Sequence, residues 1–103
     1  MAKLIYCTTS DVMEARKIAH MILEEKLAAC VNIFPEIESI YRWKNRIETD
    51  AETALFIKTV DEKVSNTIQR IKELHSYDVP EIIVVPLADG LKDYFDFLKQ
   101  ETL

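Results

Sequence analysis

The chain has 103 residues and a formal net charge of −5, and 49% of its residues are hydrophobic. This length suits a single domain, placed at residues 1–103, with one buried core. Its lysines and arginines are scattered, so the basic face that nucleic acids or anionic membranes require is missing, and no apolar run is long enough to span a bilayer. No N-terminal segment has the apolar length of a signal peptide, and we expect a cytoplasmic protein.

The N-terminal third predicts a strand and then a helix. Residues 2–8 are rich in β-formers, which is typical of a short buried strand. Asp11 and Glu14 have the spacing of a helix capping box, and apolar residues follow at helical intervals until about Lys26. The two cysteines, Cys7 and Cys30, stand apart from any ligand motif, and a reducing compartment suits them.

Two unusually long extended blocks come next, at residues 28–43 and 47–60. Pro35 lacks an amide hydrogen and predicts an edge or a bulge, and Asn45 suits the hairpin turn. At about 3.3 Å per residue, the hairpin would be about 45–50 Å long, whereas a domain of this size has a radius of gyration near 13 Å. The hairpin must therefore project, and an assembly must cover it.

The rest of the chain predicts a helix beginning near Asp61, a strand at residues 81–87 and a last helix at residues 91–103. The order βαββαβ plus a helix indicates an α+β, ferredoxin-like fold, with a four-stranded antiparallel sheet and helices on one face. Right-handed crossovers put the first and third strands in the centre and the second and fourth at the edges.

This topology is expected to bring three distant segments to one edge of the sheet. They are the end of the first strand, the loop before the fourth strand, and the end of the third strand, taken to run parallel to the first. Their polar side chains are those of Cys7, Thr8, Lys58, His75, Tyr77 and Glu81.

Cys7, His75 and Glu81 offer sulfur, nitrogen and oxygen ligands that suit Cu(II), Zn(II) or another divalent cation. The alternative for His75 is a helix C-terminal residue that bonds the last carbonyls. Thr8, Lys58 and Tyr77 are candidates for a small-ligand cleft, although a solvated strand lysine is the commoner case. Cys30 is expected to pack in the interior.

Three aromatic residues of the hairpin, Phe34, Tyr41 and Trp43, are candidates for a subunit interface. Aromatic side chains on a projecting hairpin would be exposed to water in a monomer, and a long exposed edge favours association. The alternative is core packing within one subunit, but the length of the hairpin favours the interface.

Several blocks of the sequence, in order, resemble the CutA family of divalent-cation tolerance proteins. In the first half of the chain, the residues that match the family are 7–9, 27–32 and 39–43. In the second half they are Lys58-Thr59, the loop from His75 through Tyr77 to Pro80-Glu81-Ile82, and Tyr94.

The resemblance implies a ferredoxin-like subunit in a tight homotrimer, similar in architecture to the nitrogen-signalling PII proteins, with hairpins packed around the three-fold axis. It also implies binding of copper and other divalent ions at the positions of Cys7 and His75, near Glu81.

We expect a non-enzymatic homotrimer that binds divalent metal ions, copper among them, and takes part in tolerance of and response to them. The alternative is a trimeric signalling or scaffold protein that binds a small ligand or a protein partner in its inter-subunit clefts, with metal binding incidental. An enzyme is disfavoured because a Cys7–His75 nucleophile pair would lack a third orienting group and an oxyanion hole. No organic cofactor is indicated.

Overall fold

Four strands form one antiparallel sheet in the spatial order β2-β3-β1-β4 in the computed structural model, which describes residues 1–103. The predicted ferredoxin-like α+β arrangement is therefore confirmed, with β1 and β3 in the centre. The strands and helices are β1 (Ala2–Thr9), α1 (Val12–Glu24), β2 (Cys30–Trp43), β3 (Arg46–Val60), α2 (Val64–Leu74), β4 (Ile82–Pro86) and α3 (Lys92–Gln100), with a 3-10 turn at Asp61–Lys63 before α2.

Helix α1 begins and ends where its sequence gives local support. Asp11 is the N-cap, and its carboxylate accepts a hydrogen bond from the Glu14 amide at 2.8 Å. At the other end Lys26 adopts a positive φ of 59°, and the Leu27 amide donates to the Ile22 carbonyl at 2.9 Å. A left-handed residue after the last turn satisfies carbonyls that a helix end leaves free.

The core lies between the sheet and the first two helices. Alternate residues of the central strands, Ile5, Cys7, Leu55 and Ile57, are fully buried on one face of the sheet. The apolar stripes of α1 and α2 pack against them through Ala15, Ile18, Ile22 and Ile71. Because strand side chains alternate between faces, the even-numbered residues of the paired parts of β1 and β3 face the other side.

The β2–β3 hairpin extends beyond the rest of the domain, as predicted. Strand β1 pairs with β3 only at residues 53–60, whereas β2 follows β3 as far as Arg46. Seven residues of β3, 46–52, therefore have a partner on one side only, and the molecule is 44 Å along its longest axis. Lys44 and Asn45 both have positive φ in the two-residue turn, and Pro35 lies in a bulge of the edge strand β2.

The face of the sheet away from α1 and α2 carries a row of aromatic rings. Phe56 packs edge-on against Phe34 and Tyr6, at centroid distances of 4.8 and 5.8 Å. Helix α3 packs on β3 at one end of this face, where the Tyr94 hydroxyl lies against Cys30. Helices α1 and α2 share one face of the sheet, as expected, and the additional C-terminal helix α3 lies on the other face.

One expected feature of the sheet is wrong: β3 runs antiparallel to β1, not parallel. Residue 58 therefore pairs with Leu4, whereas Cys7 pairs with Leu55. The split βαβ unit places β3 between two strands that both run opposite to it, so Lys58 lies about 10 Å along the sheet from Cys7. The chain contains no helix that is both long and apolar enough to cross a membrane.

Replacing Leu55 tests the core. Leu55 is fully buried between β1 and α1, so Leu55→Ala is expected to lower the free energy of unfolding by about 2–5 kcal/mol, measured by urea denaturation. The control is Met13→Ala on the outer face of α1, where the side chain is 70% exposed. A Leu55→Ala protein as stable as the Met13→Ala control would contradict this packing.

Candidate functional site

The end of β1 meets the loop between α2 and β4 through the side chain of His75. This side chain is fully buried. Its Nε2 lies 2.7 Å from the Thr8 carbonyl oxygen, and its Nδ1 accepts a hydrogen bond from the Tyr77 amide at 3.1 Å. A ring nitrogen that accepts carries no proton, so the imidazole is neutral with its hydrogen on Nε2. His75 thus joins the strand to the loop and has no free nitrogen.

Glu14 holds the same loop against the start of α1. Its carboxylate accepts hydrogen bonds from the Ser10 amide at 3.2 Å and from the Ser76 amide at 2.7 Å. Burial alone would raise the pKa of Glu14, but these hydrogen bonds bring it below its usual value. A lowered pKa in the folded state means that Glu14 contributes stability at neutral pH and loses it as the pH falls.

Cys7 lies in the hydrophobic core and not on a reactive surface. Its side chain is fully buried, and its Sγ is 3.6 Å from the Thr8 carbonyl oxygen. Burial, together with the negative charges of Glu14, Glu81 and Glu52, raises the pKa of the thiol to about 12. Because the thiolate is the form that ligates metals and attacks electrophiles, this cysteine is poorly suited to either role. Cys30 is also a free cysteine.

The predicted metal ligands Cys7, His75 and Glu81 converge on one edge but do not form a chelating group. The Ile82 that follows Glu81 pairs with Cys7 across β1 and β4, so the placement of the segments was correct. No three histidine, cysteine or acidic side chains lie close enough to hold an ion. The thiol and the imidazole are already engaged in the contacts described above, which leaves Glu81 as the exposed member.

A cleft of about 750 Å³ opens between the hairpin and the loop at this edge. We call it the hairpin cleft. Four acidic residues line it, namely Glu38, Glu52, Asp78 and Glu81. Three aromatic residues, Tyr41, Trp43 and Tyr77, and the apolar Ile40 and Val79 form much of the rest. No lysine, arginine or histidine is part of its wall.

Two tyrosine hydroxyls form hydrogen bonds between the segments that line the hairpin cleft. Tyr77 donates a hydrogen bond to Glu52 Oε2 at 2.8 Å, which connects the loop to β3. Tyr41 donates to Asp50 across the hairpin. Burial and the Glu52 hydrogen bond raise the pKa of Tyr77, and the Asp50 hydrogen bond and burial raise that of Tyr41 to about 12. Both phenols therefore stay protonated beside their carboxylates.

Thr8 differs from the other buried threonines. Five of them donate a hydrogen bond to a backbone carbonyl: Thr9, Thr53, Thr59, Thr67 and Thr102. The Thr8 side chain makes no such bond, although the residue is 3% exposed. Because no fully enclosed polar side-chain atom lacks a partner, the Thr8 hydroxyl faces the hairpin cleft that this residue lines.

Of the three residues predicted for a ligand cleft, two are brought together and one is not. Thr8 and Tyr77 line the hairpin cleft. Lys58 lies elsewhere, opposite Leu4 on the sheet, and its Nζ donates to Asn32 Oδ1. Lys58 lies outside the hairpin cleft because β3 runs antiparallel to β1. The predicted aromatic residues Phe34, Tyr41 and Trp43 are all partly exposed on the hairpin.

Two residues of the site, Glu14 and Glu52, were not predicted to belong to it. Glu14 was recognised only by its capping-box spacing, and its carboxylate also reaches Ser76, which lies 62 residues away. Glu52 lies in a strand of alternating polar residues that offers no local signal for its contact with Tyr77. Only the hydrogen bonds of the folded chain show that these acids face the loop.

Comparison with known proteins shows a family likeness over nearly the whole chain. Residues 3–101 match the family described as CutA1 divalent ion tolerance protein. The divalent-cation tolerance protein CutA of Thermus thermophilus is 41% identical over 102 residues, 99% of each chain. The protein of that name from Archaeoglobus fulgidus is 42% identical over 100 residues, 97% of each chain.

Solved structures show the same similarity. The structure described as the periplasmic divalent cation tolerance protein CutA from Archaeoglobus fulgidus superposes with a TM-score of 0.97 at 40% identity and covers 100% of both chains. The CutA1 structure from Oryza sativa superposes with a TM-score of 0.95 at 40% identity, over 99% of this chain and 94% of that one.

The raised pKa of Cys7 predicts slow alkylation. With a pKa of about 12, the thiolate fraction near neutral pH is very small, and the thiol is fully enclosed. In a Cys30→Ser variant, iodoacetamide is expected to leave Cys7 unmodified at pH 7.5, as followed by intact mass, and to label it once urea unfolds the protein. The matched Cys7→Ser variant reports on Cys30 alone. Rapid labelling of native Cys7 would show an exposed, activated thiol.

Proposed function

The chain belongs to the CutA1 divalent ion tolerance protein family, and we propose that it acts as a non-enzymatic homotrimer that binds divalent cations, copper among them. The observation that carries this proposal is the projecting half of the hairpin. Its side chains Ile40, Trp43 and Ile47 are 64%, 52% and 70% exposed. Large apolar side chains in this number on a projecting arm are typical of a surface that a second subunit covers.

A second strip of apolar surface supports a closed assembly. Strand β4 forms the other edge of the sheet, and its side chains Ile83 and Val85 are 50% and 41% exposed. One subunit therefore offers an apolar arm and an unpaired apolar strand edge on different sides. Two different surfaces that complement each other generate a ring when the rotation closes. A three-fold ring is what the family resemblance implies.

Glu81 is the residue that we propose as the anchor of the cation site. Cys7 would have to lose a proton from a buried thiol, and His75 would have to give up a hydrogen bond to Thr8 or Tyr77. Glu81 is exposed and adjoins the acidic wall of the hairpin cleft. Since one chain supplies no group of three ligands, we propose that the neighbouring subunit completes the coordination of the ion.

We also propose a reducing, cytoplasmic location. Both cysteines are free, and they lie on β1 and β2, which β3 separates. Strands that are two positions apart lie about 9–10 Å from each other, beyond the reach of a disulfide. Immunoblots of periplasmic and cytoplasmic fractions test this location, and recovery in the periplasmic fraction would contradict it.

The oligomeric state can be tested at the hairpin. Light scattering at micromolar concentration is expected to give a mass three times the 12.0 kDa of the chain. Trp43→Asp puts a charge into the proposed interface and is expected to weaken assembly by at least tenfold, because buried interface tryptophans commonly contribute about 2 kcal/mol or more. Met13→Asp, on the outer face of α1, is the control. A wild-type monomer would contradict the proposed homotrimer.

The cation site can be tested by anaerobic calorimetric titration with Cu(II) and Zn(II). Glu81→Gln keeps the shape of the side chain and removes its charge, so it is expected to weaken binding of Cu(II) by at least about tenfold. Cys7→Ala, in the core, is expected to leave the affinity unchanged. Loss of binding in Cys7→Ala with full binding in Glu81→Gln would instead assign the site to the thiol.

A further inference from the structure

The projecting half of the hairpin carries its charges in two separate groups. Between Ile40 and Ile47 all charged residues are basic, namely Arg42, Lys44 and Arg46. In the adjoining parts of β2 and β3, residues 36–39 and 48–52, all charged residues are acidic, namely Glu36, Glu38, Glu48, Asp50 and Glu52. We call residues 42–46 the basic tip. The arm therefore has a positive end and a negative base.

The three cations of the basic tip pair with no acid of their own chain. All three residues are exposed. The ion pairs of the molecule are formed by other cations, namely the N-terminus, Lys3, Arg70 and Lys92. The ammonium group of Lys44 lies 6.0 Å from the centre of the Trp43 ring, at the outer limit of a cation–π contact. The positive charge of the tip is therefore left for a partner.

The acids of the hairpin cleft are outside these ion pairs as well. The cleft is lined by the carboxylates of Glu38, Glu52, Asp78 and Glu81. The acids that do form ion pairs are Glu25, Asp61, Glu73 and Asp96. Glu52 accepts a hydrogen bond from the Tyr77 hydroxyl, which supplies no charge. One chain thus carries an unpaired positive projection and an unpaired negative concave surface.

Covering the arm also covers the acids of the cleft. Ile40 and Trp43 are exposed on the arm, and both of them line the hairpin cleft. A subunit that packs on these two side chains therefore removes water from the carboxylates beside them. Enclosed carboxylates cost free energy unless opposite charges accompany them. The subunit that covers the arm must bring positive charge to the cleft.

The basic tip of a second copy of the chain meets this requirement. It carries two arginines and a lysine together with the apolar side chain of Trp43, and the cleft wall likewise mixes acids with apolar Ile40 and Val79. Guanidinium groups form paired hydrogen bonds with carboxylates and stack on aromatic rings, such as those of Tyr41 and Tyr77 in the wall. A tip in a cleft joins two different surfaces, as a closed ring requires.

We propose that the basic tip of each subunit docks into the hairpin cleft of its neighbour. Arg42 and Arg46 of the tip lie against the carboxylates of Glu38 and Asp78 of the partner subunit, and Glu81 remains the anchor of the divalent cation. This inference rests on the homotrimer proposed above. It adds which two surfaces meet and that their opposite charges hold the assembly together.

Charge reversal on either surface tests the docking. The tip variant, Arg42→Glu with Arg46→Glu, leaves the turn residues Lys44 and Asn45 unchanged. The cleft variant is Glu38→Lys with Asp78→Lys. Subunit exchange between isotopically light and heavy assemblies is followed by native mass spectrometry, in enough urea to make wild-type exchange measurable. Each variant is expected to exchange at least about tenfold faster, because like charges then meet in the interface.

Two further variants separate a contact between the surfaces from a general effect of charge. Arg16→Glu with Lys17→Glu, on the exposed face of α1, changes the net charge as the tip variant does and is expected to exchange at the wild-type rate. The variant with all four reversals has the wild-type net charge and sets an acidic tip against a basic cleft. Its exchange rate is expected to return to within about threefold of the wild type.

Salt gives an independent measurement of the same contact. In about 1 M NaCl, which screens charges beyond about 3 Å, the tip variant is expected to exchange within about threefold of the α1 control. A tenfold difference that persists in salt, or a fourfold-reversed variant that exchanges as fast as the tip variant, would overturn the proposal. A wild-type monomer would contradict the homotrimer itself, whereas an assembled wild type whose tip and cleft variants exchange like the control would overturn only the docking.

Discussion

The pairing of β3 is the constraint on which the rest of the structure depends. One half of this strand pairs with β1 at residues 53–60 and also with β2 at residues 54–58, and it carries the buried Leu55 and Ile57. The other half is bonded only to β2. The strand belongs to the core at one end and extends into solvent at the other, so it anchors the projecting arm on the core. The hairpin can therefore present apolar side chains without a core of its own.

The sequence predicted the elements, their order and the projecting hairpin, because these follow from local patterns. Asn45 and Pro35 are examples: the turn needs a residue that tolerates positive φ, and proline lacks an amide hydrogen for the ladder. The direction of β3 was the error. It misplaced Lys58 by three residue positions, about 10 Å along the sheet, because reversing a strand reverses the order of its residues along the neighbouring strand.

The contacts of the site could not be predicted, because they join residues far apart in the chain. Glu14 meets Ser76, Tyr77 meets Glu52, and His75 meets Thr8 across 67 residues. The sequence shows that acids, aromatics and a histidine are present, but not which of them are already paired. For His75 this decides the chemistry: two occupied nitrogens make it a structural residue, whereas a free nitrogen would make it a candidate ligand.

His75 determines the shape of the hairpin cleft through its two hydrogen bonds. One fixes the imidazole to β1 at Thr8, and the other holds the Tyr77 amide, so the ring of Tyr77 stands against Glu52. A hydrogen on Nδ1 would remove the acceptor for that amide. The tautomer with its hydrogen on Nε2 is therefore the one that fits both contacts. A buried histidine beside an acidic cleft thus acts by positioning the wall of the cleft.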